Sequence, residues 1–227
     1  MQPSFISVII PAYNEEKTMG DVIHHTISVM KSFRMPFEII VVDDGSTDNT
    51  RQVAAGYKVT LVSNGKNRGK GYALRSGFQR AKGDIIVTLD ADGAHTPKEI
   101  PELINPLFRG VDIVAGSRFL GGGMYSTSRL NRFGNFVFNL LIMVLTRKCV
   151  TDSQTGFRAL KREVLKELSL KSIGFEIETE ITVKGLKNGF VFQEEPIDCK
   201  KRKYSISKLR ILPDGLKIFK TILKASL

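Results

Sequence analysis

Only two cysteines occur, Cys149 and Cys199, and they lack C-x-x-C spacing. That excludes a cysteine zinc site and a disulfide framework, and it points to two reduced thiols in a reducing compartment. No basic, apolar leader opens the chain. Strand-like FISVII begins at residue 5, so no secretory signal is expected. The longest apolar run, 136–145 (FVFNLLIMVL), falls well short of the ~20 residues a spanning helix needs. A soluble or peripheral protein in the cytoplasm, at the cytoplasmic face of a membrane, is the expectation. Neither G-x-G-x-x-G nor the Walker A spacing occurs, which disfavours an NAD-dependent oxidoreductase and a generic phosphate loop. Internal repeats and long linkers are missing as well.

What remains is an ordinary globular composition. The 227 residues are 42% hydrophobic and 25% charged, enough for one large α/β domain with a real core. The formal net charge is +11, from 34 Lys+Arg against 23 Asp+Glu. Such an excess attracts nucleic acid, anionic lipid headgroups or phosphorylated substrates. Basic residues thicken at 200–210 and 217–224, whereas the clustered acids lie before residue 100. A nucleic-acid-binding module would interleave aromatics on a basic strand face. Here the phenylalanines sit mostly in apolar runs, so nucleic acid is not the expected partner.

The first half alternates apolar runs with helical stretches. Strands are expected at 6–10, 38–42, 59–62, 84–90 and 111–118, with helices at about 17–34, 69–82 and 97–109. Continuous apolar strands separated by helices predict an α/β fold with a mostly parallel central sheet covered on both faces. Ligands bind such sheets at the carboxyl ends of the strands. Asn14 and Glu15, Asp43 and Asp44, Asp90 and Asp92, and Ser117 and Arg118 all fall at those ends. Beyond a glycine-rich loop at 121–129, helices are expected at about 130–147, 161–168 and 176–188, with 152–158 as a loop and a strand at 190–197. The basic segment 200–210 leads to an amphipathic tail, 214–227. The expected organisation is a catalytic domain, 1–212, with a basic C-terminal extension, 213–227.

Four constellations carry chemistry. Asp90-Ala91-Asp92 ends the fourth strand, where carboxylates at i and i+2 can share one hard cation, Mg²⁺ or Mn²⁺, with substrate phosphates. Asp43-Asp44-Gly-Ser-Thr-Asp48 ends the second strand. One of its adjacent acids is expected on a ribose hydroxyl or a base N–H, while Ser46 or Asp48 caps the next helix. Asn67–Arg75 supplies glycines before a helix N-terminus, with Lys70 and Arg75 as candidate phosphate partners. Arg118, Arg129, Arg132, Arg158 and Arg202 lie in or near loops, where guanidinium suits bidentate phosphate binding.

Seven stretches keep one order along the chain: PAYNEE (11–16), DDGSTD (43–48), NRGKGYALRSG (67–77), DADG (90–93), GSRF (116–119), DSQTGFR (152–158) and SISKLR (205–210). Together they resemble family 2 glycosyltransferases of GT-A fold, in particular the polyprenyl-phosphate sugar synthases related to dolichyl-phosphate mannose and glucose synthases. The resemblance implies an inverting, metal-dependent hexosyltransferase using a UDP- or GDP-sugar and a polyprenyl or dolichyl phosphate. It implies that Pro11, Ala12, Tyr13, Glu15 and Asp43 line the nucleotide pocket, and that Asp90 and Asp92 hold metal and diphosphate. Arg118 and Arg132, with Arg129 nearby, would grip the acceptor phosphate. Arg202, Ser207 and Lys208 would close over the donor, and Asp152 would lie near the acceptor. An acceptor phosphate is already an anion and needs no strong base, whereas a hydroxyl acceptor in glycan synthesis would need one, with Asp152 the candidate. The pattern departs in one place: many mannose synthases carry a glutamine metal ligand where this chain has Ala94. The apolar helix 133–146 and the basic tail suggest peripheral membrane contact.

Overall fold

A computed structural model describes residues 5–120, 128–200, 204, 208 and 210–226. The seven-stranded sheet has the order β3-β2-β1-β4-β6-β5-β7. β1 (Ile6–Ala12), β2 (Phe37–Asp43), β3 (Thr60–Ser63) and β4 (Ile85–Thr88) are parallel neighbours. Their register aligns the chemistry, because Ala12 pairs with Asp43 and Asp43 with Ser63. β5 (Ile113–Ser117) pairs in parallel with β7 (Phe192–Pro196).

The sequence predicts a loop at 152–158 and a helix from about 161. The structure inserts β6 (Arg158–Lys161), antiparallel to both β4 and β5. Four residues bracketed by Arg and Lys carry no strand periodicity, so only long-range pairing reveals this element. The expected single helix at 97–109 is α4 (Ile100–Ile104) between two 3₁₀ turns. Pro97, Pro101 and Pro106 explain the division, because proline lacks the N–H that a continuous α-ladder needs.

Helices cover both faces. α1 (Glu16–Phe33) buries Met19, Val22, Ile23, Thr26 and Met30, the spacing of one helical stripe. α1, α4 and the short α2 (Thr50–Ala55) pack on one side with the inward residues of β1 and β2. α3 (Lys70–Arg80), α6 (Arg162–Leu168) and α7 (Ile177–Lys187) cover the other. α3 lies close because of Gly77, where a Cβ would meet the Ile9 side chain at 2.5 Å. α5 (Arg129–Thr146) and α8 (Ile211–Ser226) join α7 around Ile142, Val150, Val183, Ile218 and Ile222. The tail is thus a helix with a buried stripe. Its opposite face, with that of α5, leaves large apolar side chains exposed.

Candidate active site

At the carboxyl ends of β1, β2 and β4, one cavity of about 480 Å³ gathers Pro11, Ala12, Tyr13, Glu15, Asp44 and Lys70 with Asp90, Ala91 and Asp92. The sequence assigns these residues to the donor, together with Asp43, Arg75, Arg202 and Lys208.

One end of the cavity is held by polar turns. Asn14 takes a left-handed conformation, φ 53°. Its amide donates to Ser46 Oγ at 3.0 Å and its Oδ1 accepts the Thr47 N–H at 2.8 Å. Asp43 lies behind the wall, buried, and its Oδ1 accepts the Ser46 N–H at 3.0 Å. Asp44 reaches the cavity, and its Oδ2 also accepts the N–H groups of Arg68 and Gly69, at 3.0 and 2.7 Å. Of the two adjacent acids, Asp44 therefore lines the cavity and Asp43 shapes the turn. Lys208 Nζ donates to Glu15 Oε1 at 2.7 Å and to the Tyr13 carbonyl, which holds Lys208 on the cavity lining. Arg202 and Ser207 lie outside the described residues.

The carboxylate end sits on the turn after β4. Asp92 is 7% exposed and its Oδ1 accepts the Ala94 N–H at 2.9 Å. The Ala91 carbonyl accepts the Thr18 hydroxyl at 2.7 Å, which fixes the turn from α1. Asp90 Oδ1 stands 2.6 Å from Lys70 Nζ, and the same ammonium is 2.7 Å from Glu178 Oε1. Burial works against the Lys70 charge, but Asp90 and Glu178 outweigh it and raise its pKa. Burial pushes the Glu178 carboxyl up, opposed by Lys70. Gly156 closes the pair from behind. A Cβ there would sit 2.5 Å from Lys70 Nζ and 2.6 Å from Asp90 Oδ2, so a larger residue would push the paired ends aside.

Two carboxylates on one cavity wall are a hard-oxygen donor set suited to Mg²⁺ or Mn²⁺, which take their other ligands from water and substrate phosphate. Among the described residues no group of three His, Cys, Asp or Glu side chains is placed to hold a metal alone. The residues fit a cation that a diphosphate helps to bind. Ala94 adds no donor atom. The neighbouring His95 is buried against Phe157, and burial lowers its pKa.

A second polar cluster follows β5. Arg118 Nε and Nη2 donate to Asp152 Oδ2 and Oδ1 at 2.6 and 2.8 Å, a bidentate fork. Asp152 is fully buried. Glu194, on β7, receives the backbone N–H groups of Thr151 and Asp152 at 2.7 and 2.8 Å. Burial opposes the Arg118 charge and Asp152 raises its pKa, with a smaller contribution from Asp90 that marks the two clusters as electrostatic neighbours. Arg129 and Arg132 open α5 and line a second cavity of about 740 Å³, with Phe119, Phe133, Phe136 and Met143.

Besides Asp43, three residues stand differently from the expectation. Asp152, the candidate base, has its carboxylate engaged by Arg118. Arg75 lies outside the donor cavity and donates to the Lys171 carbonyl at 3.1 Å. Arg158 is no surface ligand: it is 1% exposed and donates to the carbonyls of Thr155 and Ser153 and to Thr182 Oγ1, which staples the 152–158 loop. Sequence reasoning missed Glu178, Glu194 and the α8 residues Asp214 and Lys217, which line the donor cavity. No local signal singled out Glu178, because the first turn of α7 carries Glu180 as well and Glu176 stands just before it.

The sequence matches the family model Glycosyl transferase family 2 over residues 7–169, well over half of the chain. The chain belongs to glycosyl transferase family 2. Within the family it is 37% identical to an uncharacterised protein of Methanocaldococcus jannaschii, across 96% of this chain and 91% of that one. It is 34% identical to a dolichol-phosphate mannosyltransferase of Pyrococcus furiosus, across 79% of this chain and 53% of that protein. An undecaprenyl-phosphate 4-deoxy-4-formamido-L-arabinose transferase of Pseudomonas fluorescens is 32% identical, across 70% and 48%. The chain thus spans about half the length of these two named transferases. Glucosyl-3-phosphoglycerate synthase of Mycobacterium tuberculosis, solved with Mn²⁺, UDP and phosphoglyceric acid, superposes with a TM-score of 0.79 at 25% identity, over 98% of this chain and 78% of that one. The fold is the GT-A glycosyltransferase fold, and the protein is a family 2 glycosyltransferase.

Proposed function

We propose that the protein transfers a hexose, with inversion, from a UDP- or GDP-sugar to a polyprenyl phosphate. One observation carries this reading: Asp90 and Asp92 wall one cavity, Arg118 is paired with Asp152, and Phe119 and Thr151, next to that pair along the chain, line a largely apolar second cavity with Arg129 and Arg132. A pyrophosphate, a phosphate and a hydrocarbon chain each find matching chemistry, in that order. The named relatives act on dolichol phosphate and undecaprenyl phosphate, which supports the acceptor class.

Asp90 and Asp92 would hold Mg²⁺ or Mn²⁺, which neutralises charge on the departing diphosphate when bound. The first-strand residues Pro11 to Tyr13, with Glu15 and Asp44, enclose the nucleotide. Lys70 supplies a fixed cation at the diphosphate, and Lys208 holds the mouth through Glu15. Arg118, clamped in one rotamer by Asp152, orients the acceptor phosphate for in-line attack at the anomeric carbon. The phosphate oxygen attacks as an anion, so no side chain has to remove a proton. A hydroxyl acceptor would need a base, and the bidentate engagement of Asp152 disfavours that reading.

Transfer assays with labelled UDP- and GDP-hexoses test the proposal. Label should enter polyprenyl phosphate in the presence of Mn²⁺ or Mg²⁺, and phosphoglycerate should not substitute. Transfer to a sugar hydroxyl or to phosphoglycerate, with none to the lipid phosphate, would contradict it.

Membrane contact follows from the same geometry. α5 exposes Phe133, Phe136 and Val144, and α8 exposes Leu212 and Leu216, with Lys217, Lys220 and Lys224 on the same helix. No helix among the described residues is long and apolar enough to cross a membrane. Apolar side chains flanked by lysines suit the headgroup layer of an anionic leaflet. The protein should co-sediment with anionic vesicles at low salt, and Phe136→Asp with Leu216→Asp should release it. Absence of binding would remove the membrane from the account.

A further inference from the structure

Lys70 enters the donor cavity from the first turn of α3 and is pinned between two acids, at 2.6 Å from Asp90 and 2.7 Å from Glu178. Asp90 is also one of the two carboxylates assigned above to a divalent cation, and this inference rests on that assignment. An ammonium and a divalent cation bound to one carboxylate repel strongly in a site of low dielectric. Sharing Asp90 at these distances carries a Coulombic cost that weakens the hold of each cation on the carboxylate. Glu178 lies on the far side of the ammonium, with a side chain only 3% exposed, and it offers Lys70 a second anchor away from the cavity. Gly156 leaves room for this arrangement and for little else.

We propose that Lys70 is the resident cation of the metal-free site and competes with the divalent metal for Asp90, while Glu178 retains the ammonium at the wall once Asp90 is taken. The consequence is a site in which Asp90 is already paired with a cation before the donor arrives. Metal alone binds weakly there, because it must displace an ammonium. Metal together with a diphosphate binds well, because the released lysine gains a phosphate partner. Lys70 and Glu178 therefore couple metal binding to nucleotide binding, with Glu178 acting as a positioning residue.

Mn²⁺ binding to the nucleotide-free protein, followed by electron paramagnetic resonance, tests this. Lys70→Met should bind Mn²⁺ more tightly, on the order of tenfold, which corresponds to about 1.4 kcal/mol. Glu178→Gln should bind it more weakly, because Lys70 is left with Asp90 as its remaining carboxylate. A role confined to packing would weaken binding in both variants, so the opposite signs are the signature. In thermal melts, Mn²⁺ should raise the melting temperature of Lys70→Met more than that of the wild type. Unchanged or weaker Mn²⁺ binding by a folded Lys70→Met variant overturns the proposal. If that variant does not fold, Glu178→Gln decides, and tighter binding there overturns it. A wild-type protein that binds no Mn²⁺ even with UDP or GDP overturns the metal assignment itself. Wild-type binding that Lys70→Met leaves unaltered defeats this inference alone.

Discussion

Asp92→Asn should lower transfer by on the order of 10³-fold while leaving the fold intact. The substitution is nearly isosteric. Its amide oxygen can still accept the Ala94 N–H that Asp92 Oδ1 accepts at 2.9 Å, so the turn after β4 keeps its internal bond. What disappears is one negative charge on the cavity wall. A leaving diphosphate accumulates charge as the glycosidic bond breaks, and a cation held by one carboxylate instead of two is both scarcer and less well aimed. The loss should appear in the turnover number at saturating donor and should be only partly recovered at high Mn²⁺. Steady-state transfer assays, with circular dichroism to verify folding, measure it. Retention of more than about a tenth of wild-type turnover would mean that Asp92 does not serve a metal whose loss costs several kcal/mol.

Arg118→Lys should depress transfer to polyprenyl phosphate by about 10²-fold and leave donor affinity unchanged. Lysine keeps the charge but loses the planar fork that binds Asp152 through Nε and Nη2. Truncation to alanine would be less informative. Asp152 is fully buried, and stripping a buried acid of its partner typically costs ~3–5 kcal/mol of stability. Asp152→Asn should cost less activity than Asp92→Asn, because Asp152 orients Arg118 and exchanges no proton with the acceptor. Initial rates at varied acceptor, paired with titrations of UDP or GDP, separate the effects. Equal losses in Asp152→Asn and Asp92→Asn would contradict the phosphate-nucleophile reading. Weaker nucleotide binding in Arg118→Lys would move that arginine to the donor side.

The sequence carried the parallel strands plainly, because β1, β2 and β4 are buried on both faces and so read as unbroken apolar runs. It carried the carboxyl-end acids for the same reason, since Asp43, Asp44, Asp90 and Asp92 stand where those runs stop. β6 was illegible: its four residues owe their conformation to pairing with β4 and β5, and nothing in Arg158–Lys161 encodes that locally. Arg158 itself read as a phosphate ligand, yet it spends its donors on two carbonyls and a threonine. The same limit hid Glu178 and Glu194, whose partners lie in distant segments. It also made Asp152 look like a base. A carboxylate next to a loop motif gives no hint of its partner, and only the fold brings Arg118 to it.

A calorimetric titration of UDP and GDP into the wild-type protein, with Mn²⁺ and again with EDTA, addresses the central claim most directly. One nucleotide should bind with Mn²⁺ and lose most of its affinity in EDTA, and Asp92→Asn should abolish that difference. Equal affinity with and without the metal, or binding untouched by Asp92→Asn, would show that the cavity does not hold its donor through a cation on Asp90 and Asp92.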